Sequence, residues 1–337
     1  MPKSTILAVD DLTVTLDRGD RDVDLIRHVG FEVRAGEIVT LVGESGSGKS
    51  VTSRTIMGLM QQNRNITATG SIRFDGQELV GHPEITRKLR GTELAMVFQE
   101  PLSSLDPVFP IEDQMREGLR RANGKSSKQA ERAKMTELLT EVGIRDTERV
   151  LNSFPHQLSG GMCQRVMIAS ALSSSPRLLI ADEPTTALDV TIQAQILELI
   201  DRLRDENDMS VLLVTHDMGV AADLADRVVV MYAGRVVEDA FPRDIFTAAQ
   251  HPYTDGLLGC IPPISGERME LLPAIPGSVP DPSRLPGGCA FNPRCQFASD
   301  KCREQDPPLL RLQNSYAACW HPLHAEQGAA NREGARA

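Results

Sequence analysis

The chain has 337 residues and a formal net charge of −10; 41% of its residues are hydrophobic and 24% are charged. This composition is typical of a soluble globular protein, and an acidic balance without a basic patch argues against nucleic-acid binding. The longest apolar runs, such as Val211–Val214 and Val228–Tyr232, are far shorter than the roughly 20 residues of a membrane span, and no signal-peptide stretch opens the chain. We therefore predict a cytoplasmic chain that serves a membrane only through a partner.

The first predicted elements are strands that lead into a glycine-rich loop. Leu12–Leu16 alternates apolar side chains with threonines, as a half-buried strand does. Ile38–Val42 is almost continuously apolar, which suits a strand covered on both faces. A helix is predicted from about Lys49 to Met60.

The loop between this strand and this helix reads Gly-Glu-Ser-Gly-Ser-Gly-Lys-Ser and matches the phosphate-loop pattern. Glycines let backbone amides turn around phosphate oxygens, and the helix N-terminus adds its positive end. Lys49 can reach the β- and γ-phosphates, and Ser50 can ligate Mg²⁺. An ordinary glycine-rich turn is the alternative. The pattern predicts binding of ATP and Mg²⁺, with nucleotide contacts at Gly43, Glu44, Ser45, Gly46, Ser47, Gly48, Lys49, Ser50 and Val51.

Strands and helices then alternate along the chain. Helical periodicity dominates from about residue 105 to 170, and it is clearest in Glu131–Val142. Alternation of this kind predicts an α/β fold, a parallel sheet with helices on its faces and an inserted α-helical subdomain, within a domain that spans residues 1–250. The remaining predicted strands and the helix between them are Leu94–Phe98, Leu178–Ala181, Thr191–Asn207, Val211–Val214 and Val228–Met231.

Two carboxylates follow the predicted strand Leu178–Ala181. At the end of such a strand, Asp182 is placed to hold Mg²⁺ beside a phosphate loop. Glu183, one residue further on, is placed to polarise the attacking water. A surface Asp-Glu pair with no chemical role is the alternative.

Leu158-Ser-Gly-Gly-Met162 completes a set of motifs that resembles the ABC-type ATPases over about Ile6 to Gln250. The resemblance identifies Ser159, Gly160 and Gly161 as the signature motif. In that family the motif opens a helix and binds the γ-phosphate of the nucleotide held by the opposite subunit. A helix N-terminus that faces a phosphate explains this role physically.

The resemblance also implies roles for three further side chains. Gln99 corresponds to the glutamine that touches Mg²⁺ and the attacking water. His216 corresponds to the histidine that contacts the γ-phosphate, and Asp189 to the carboxylate that couples the two sites across a dimer. Two positions depart from the family pattern. Met162 replaces the usual glutamine of the signature, and Leu16 stands where an aromatic residue would stack on adenine.

The composition changes after about residue 250, where prolines become frequent and four of the six cysteines occur within about 30 residues. We predict a loop-rich C-terminal extension over residues 251–337. Cys289, Cys295, Cys302 and Cys319 are separated by five, six and sixteen residues, which is wider than the usual spacing of structural zinc ligands. Four thiolates in such a loop suit a [4Fe–4S] cluster, with zinc or with free or disulfide-bonded cysteines as the alternatives.

His251-Pro-Tyr-Thr254 resembles the motif that begins the C-terminal extension of oligopeptide and dipeptide permease ATPases. Some members of that group carry a four-cysteine iron–sulfur cluster in this extension. The resemblance implies an ATP-hydrolysing subunit that powers import of dipeptides or oligopeptides. Importers of nickel or another small solute share the extension, and a non-transport ABC ATPase is a more distant alternative.

The resemblance implies partners as well. Each ATP site needs a phosphate loop and a signature motif from different subunits, so a head-to-tail heterodimer with a second, homologous ATPase is expected. Two transmembrane permease subunits and an extracytoplasmic substrate-binding protein would complete the transporter. The chain would then lie peripherally on the cytoplasmic face of the inner membrane.

Overall fold

The structure is a computed structural model that describes residues 3–186, 188–261 and 274–324. Its strands are β1 (Thr5–Asp17), β2 (Asp22–Arg34), β3 (Ile38–Val42), β4 (Ile66–Phe74), β5 (Gln77–Glu78), β6 (Leu94–Val97), β7 (Leu178–Asp182), β8 (Ser210–Val214), β9 (Arg227–Tyr232), β10 (Arg235–Ala240), β11 (Leu310–Arg311) and β12 (Ser315–Ala317).

Its α-helices are α1 (Lys49–Ile56), α2 (Pro83–Leu89), α3 (Pro101–Ser104), α4 (Ile111–Asn123), α5 (Lys128–Glu141), α6 (Thr147–Asn152), α7 (Gly160–Leu172), α8 (Val190–Glu206), α9 (Met218–Leu224), α10 (Pro242–Ala248), α11 (Pro252–Gly259) and α12 (Asp300–Glu304). No helix in the described ranges combines the length and the hydrophobicity that a bilayer crossing requires.

The chain divides into two compact units. The first consists of Met1–Ile6, Val33–Glu37 and His82–Val214. The second consists of Leu7–Glu32, Ile38–Gly81 and Thr215–Ala337.

The first unit contains three parallel strands in the order β8-β7-β6. Both β7 and β8 are buried along their whole length, because each is a nearly continuous apolar run of the kind that lies between two layers. In register, Val97 of β6 pairs with Ala181 of β7, and Asp182 pairs with Val214 of β8. Residues that follow β6 and β7 therefore emerge at the same edge of this sheet.

Helices α4, α5, α6 and α7 of the first unit pack on one another. Ile111, Met115 and Leu119 are buried on α4 at helical spacing. Glu131 on α5 is also buried, and its carboxylate accepts two hydrogen bonds from Arg120, at 2.6 and 2.9 Å, which compensate its charge. These helices correspond to the helical pattern predicted from about residue 105 to 170.

The second unit contains strands in the order β11-β12-β10-β9-β3. Only β3 and β9 are parallel here; β9, β10, β12 and β11 pair antiparallel. The antiparallel turn between β9 and β10 uses Ala233 and Gly234, both with positive φ, of 45° and 79°, as a two-residue hairpin loop requires. The sheet is therefore mixed, whereas the sequence pattern predicted a parallel one.

The C-terminal extension adds β11 and β12 to the edge of this sheet. Ser315, Tyr316 and Ala317 pair with β10, so the extension is joined to its unit by backbone hydrogen bonds. The expected loop-rich character holds for residues 274–299, but the sequence pattern did not predict these two short strands. Residues 262–273 and 325–337 of the predicted extension lie outside the described residues.

A second sheet in the same unit has the order β2-β1-β4-β5. The pairing of β1 with β4 shifts between Asp10 and Thr13, and Gly70 of β4 lies against this bulge. A Cβ atom at Gly70 would lie 2.3 Å from the carbonyl oxygen of Asp11, and its φ is +92°, so only glycine fits there. Leu16, the residue at the expected adenine-stacking position, pairs with Ile66 in this sheet.

Candidate functional site

The phosphate loop lies in the second unit, between the fully buried strand β3 and helix α1. Gly43 has a φ of +148°, and a Cβ there would lie 2.2 Å from the carbonyl oxygen of Met231. Gly48 has a φ of +102°, and its Cβ would lie 2.7 Å from Cγ2 of Ile26. Both positions therefore require glycine, and the loop follows a path that other residues cannot take.

The ammonium of Lys49 lies over this loop. Lys49 is 4% exposed, and its Nζ donates to the carbonyl oxygens of Gly43, at 2.7 Å, and Glu44, at 3.0 Å. Ser50 and Val51 follow in the first turn of α1. Glycine-shaped backbone, a buried ammonium and a helix N-terminus together fit a triphosphate, and the Ser50 hydroxyl is an oxygen donor suited to Mg²⁺.

Three other loop residues differ in their surroundings. A Cβ on Gly46 would meet no atom within 4 Å although its φ is +81°. Ser47 is fully buried, and its hydroxyl has no hydrogen-bond partner among the described residues. Its backbone carbonyl accepts from Gly234 at 2.9 Å. Ser45 is exposed.

Two residues that the sequence motifs did not identify as part of the site contact the start of the loop. The amide of Glu44 donates to the hydroxyl of Tyr253 at 2.8 Å, and its carboxylate accepts two hydrogen bonds from Arg294. Both partners come from the C-terminal extension. Tyr253 belonged to a recognised motif, but nothing in the sequence pattern placed it, or Arg294, beside the loop.

In the first unit, the predicted catalytic carboxylate follows β7. Asp182 is fully buried at the end of the strand. Glu183 has a φ of +48°, which is uncommon for a residue with a side chain and is found at strained functional positions. Its carboxylate oxygen Oε2 accepts from Nε2 of Gln99 at 3.0 Å and from the hydroxyl of Thr186 at 2.9 Å. The structure thus brings together Gln99, which follows β6, and Glu183, which follows β7.

The signature residues open α7 in the same unit. Ser159 is the N-cap and accepts from the amide of Met162 at 3.3 Å. Ser159 and Gly160 are exposed, so the positive end of the helix faces solvent. Gly161 lies close to α8, because a Cβ there would be 3.0 Å from Cγ2 of Ile192.

Asp189 caps α8 by accepting from the amide of Ile192 at 3.0 Å. The contact between Gly161 and Ile192 therefore brings together the first turns of two helices that carry predicted dimer contacts. Neighbouring Val190 is 83% exposed. Ala187, two residues before Asp189, lies outside the described residues.

His216 lies in the second unit, between β8 and α9, and is exposed. Its neighbour Asp217 is the N-cap of α9 and accepts from the amides of Gly219 and Val220. His216 therefore lies directly before a capped helix start.

The predicted iron–sulfur cluster is wrong, and so is its zinc alternative. All four cysteines are free thiols, and among the described residues no group of three or more His, Cys, Asp or Glu side chains is arranged to hold a metal ion. The cysteines lie on separate segments around an apolar pocket that Phe291, Phe297 and Trp320 also line. Burial raises the pKa of Cys289 to about 11 and that of Cys319 to about 12. A metal ligand must be a thiolate, and this surrounding favours the neutral thiol.

The chain matches two sequence profiles. Residues 26–186 match the ABC transporter profile, and residues 237–302 match the profile of the oligopeptide/dipeptide transporter C-terminal region. Among solved structures, it resembles the dimeric ATP-binding cassette MJ0796 in a post-hydrolysis state with ADP and phosphate. The TM-score is 0.63 at 29% identity, over 70% of this chain and 99% of that one. It also resembles cbiO1 of Clostridium perfringens, part of an ABC transporter complex, with a TM-score of 0.60 at 26% identity, over 72% of this chain and 91% of that one.

The fold and the loop geometry thus define a phosphate-loop ATPase of the ABC class, and the predicted fold class is confirmed. Curated relatives are similar along almost the whole chain. The oligopeptide transport ATP-binding protein AppD of Bacillus subtilis is 49% identical over 97% of this chain and 99% of its own length. A putative peptide import ATP-binding protein of Brucella ovis is 46% identical over 94% and 97%. The chain belongs to the ATP-hydrolysing subunits of ABC transporters, in the oligopeptide/dipeptide family.

Proposed function

We propose that this chain binds MgATP at Gly43–Val51 and hydrolyses it to power import of peptides across the cytoplasmic membrane. The nucleotide site is supported by the buried ammonium of Lys49, which lies over a loop whose backbone requires glycine at positions 43 and 48. The peptide substrate is supported by the names of the relatives, which match this chain at nearly full length. Lys49 and the loop amides bind the phosphates.

The remaining roles follow from the chemistry of each group. Ser50, Gln99 and Asp182 supply the oxygens that would hold Mg²⁺, which when bound neutralises charge on the β- and γ-phosphates. Glu183 orients and polarises the attacking water, and Gln99 and Thr186 fix its carboxylate. His216 stabilises charge on the γ-phosphate.

Ser159, Gly160, Gly161 and Asp189 act on the nucleotide of an opposite subunit in this proposal. The support is that Ser159 and Gly160, which open α7, are exposed to solvent. The opposite subunit is a second, homologous ATPase in a head-to-tail heterodimer. Two permease subunits and an extracytoplasmic binding protein complete the importer, and the chain lies on the cytoplasmic face of the membrane.

Replacement of Glu183 tests the hydrolytic role. Glu183→Gln keeps the size and the hydrogen-bonding capacity of the side chain but removes the charge that activates water. We expect turnover of ATP by the assembled complex to fall about 10²–10⁴-fold while MgATP affinity stays within about threefold. Glu206→Gln, on an exposed position of α8, is the matched control. Unchanged turnover in Glu183→Gln would assign the base elsewhere.

The substrate is tested in the same complex, reconstituted with its permeases and binding protein. Dipeptides and oligopeptides should stimulate ATP hydrolysis, and nickel or other small solutes should not. Stimulation by nickel alone would replace the peptide assignment with that of a metal importer.

A further inference from the structure

Glu44 is an acidic residue inside an anion-binding loop, and every polar group of its residue is engaged. Its amide donates to Tyr253 at 2.8 Å. Its carbonyl oxygen accepts from Lys49 at 3.0 Å and from the amide of Ser47 at 3.2 Å. Its carboxylate accepts from Arg294, at 2.8 Å to Nη1 and 3.0 Å to Nη2. This loop residue is thus tied both to the lysine of the site and to the C-terminal extension.

The guanidinium of Arg294 is fixed from every side. Its side chain is 5% exposed, and its five N–H groups have five acceptors: two on Glu44, the hydroxyl of Tyr232, and the carbonyl oxygens of Ile275 and Pro276. The guanidinium carbon also lies 5.8 Å from the centre of the Phe291 ring. A fork held this way presents a fixed positive charge to Glu44.

Tyr253 is held as firmly. It is fully buried on α11, with its ring centre 4.6 Å from that of Tyr232 and 5.4 Å from that of Phe291. The start of α11 is fixed because the amide of Tyr253 donates to Nδ1 of His251, at 3.0 Å. Burial raises the pKa of Tyr253, so its hydroxyl stays neutral and accepts from the amide of Glu44.

An uncompensated carboxylate beside a triphosphate would repel it, since like charges that share a site oppose one another. Pairing with Arg294 offsets that charge, and the Tyr253 hydroxyl fixes the backbone where the loop leaves Gly43. We propose that Arg294 and Tyr253 are positioning residues for the phosphate loop, through which the C-terminal extension sets the affinity for MgATP. The proposal rests on the assignment of Gly43–Val51 as the nucleotide site.

A double-mutant cycle on the full chain tests this role, with MgATP affinity measured by isothermal titration calorimetry. Arg294→Ala leaves the Glu44 charge uncompensated, and we expect the dissociation constant to rise about tenfold. Glu44→Gln, measured alone, is the reference of the cycle, because it removes the charge that Arg294 offsets and keeps a side chain of similar size. The double variant should bind within about threefold of Glu44→Gln, because the charge that Arg294 offsets is gone. An arginine that serves only to stabilise the fold would give no such recovery.

Two further variants probe the geometry of the contact. Arg294→Lys keeps the charge but loses the fork, so we expect an affinity between those of the wild type and Arg294→Ala. Tyr253→Phe keeps the ring and removes the hydroxyl, and it should weaken MgATP binding about threefold. If thermal unfolding shows that Arg294→Ala does not fold, the cycle is repeated with Arg294→Lys in its place. The expected changes in the dissociation constant then have the same direction and are smaller.

Controls separate failure of this inference from failure of the site. Arg303→Ala removes an exposed arginine of the same extension, paired with Asp300, and should leave affinity unchanged. Lys49→Ala should abolish MgATP binding; if it binds as the wild type does, the nucleotide site itself is misassigned. If Lys49→Ala does not bind MgATP and Arg294→Ala binds it with the same affinity as Arg303→Ala, only the role of Arg294 is overturned.

Discussion

The phosphate loop and the cysteine-lined pocket both lie in the second unit, and the sequence predicted a ligand site at each. In the loop, Gly43 and Gly48 have conformations that only glycine accepts, and Lys49 is directed onto loop carbonyls. In the pocket, the cysteines lie beside aromatic rings, and the described residues hold no metal-binding group. A continuous motif specifies its own backbone, whereas cysteines far apart in sequence depend on how their segments pack.

The phosphate loop and the cysteine-lined pocket also differ in their electrostatics. In the loop, Arg294 pairs with the carboxylate of Glu44, and the Lys49 ammonium donates to backbone carbonyl oxygens. The pocket excludes charge, because burial raises the pKa of Cys289 and Cys319 and lowers that of His251 to about 3. The loop therefore presents a positive charge that suits an anion, whereas burial in the pocket disfavours the ionised forms of Cys289, Cys319 and His251.

The largest expected effect comes from Gly43→Ala. Its Cβ would lie 2.2 Å from the backbone oxygen of Met231, so the loop must move. We expect the free energy of unfolding to fall by about 2–4 kcal/mol and MgATP affinity to fall about a hundredfold. Gly259→Ala, where a Cβ would meet nothing within 4 Å, is the control. Denaturant titration and calorimetry measure both quantities, and wild-type affinity in Gly43→Ala would remove the steric basis of the comparison.

A smaller effect is expected from the thiols at alkaline pH. The folded state raises the pKa of Cys289 from 9.0 to about 11 and that of Cys319 from 9.0 to about 12, so the unfolded chain releases protons first. Their contribution to stability is complete below pH 9 and decreases as the pH rises through the folded values. We expect a loss of about 2–3 kcal/mol by pH 10.

The double variant Cys289→Ala and Cys319→Ala removes the contribution of the two thiols to the pH dependence of stability. Its free energy of unfolding, measured by denaturant titration from pH 8 to pH 10, should depend less on pH than that of the wild type. Equal slopes in the two proteins would show that the thiols ionise normally and that the pocket tolerates charge.

The smallest expected effect concerns His251, which lines the same pocket. Burial lowers its pKa from 6.5 to about 3, so on acidification the unfolded chain takes up a proton that the folded chain does not. Stability should therefore decrease as the pH falls below 6.5, by about 1–2 kcal/mol at pH 5.5. His251→Asn keeps an acceptor for the Tyr253 amide and should flatten this dependence. A steep acid dependence that persists in the variant would place the titrating group elsewhere.

Much of the fold was predictable because its signals are local. The apolar runs of β3, β7 and β8 predicted buried strands, and the stripe on α5 predicted a helix. Strands β10, β11 and β12 were missed, because the turn at Ala233 and Gly234 lacks the usual hairpin residues and because β11 and β12 are only two and three residues long. Such short strands carry no periodicity of their own.

The residues of the candidate site also differ in whether a local sequence motif reveals them. Motifs predicted the loop, carboxylate and signature positions, and the structure adds the hydrogen bond of Gln99 to Glu183. Arg294 could not be found, since a single arginine 250 residues from Glu44 in sequence carries no pattern.

The sequence alone determined the phosphate loop and the alternation of strands and helices, because backbone sterics and side-chain periodicity act over a few residues. Only the tertiary structure decided which groups the C-terminal extension brings to Glu44 and how its thiols are placed. Contacts between distant segments depend on the packing of the whole core, in which a buried charge is stable only beside its partner. The same extension therefore holds a paired arginine at the loop and free cysteines around its pocket.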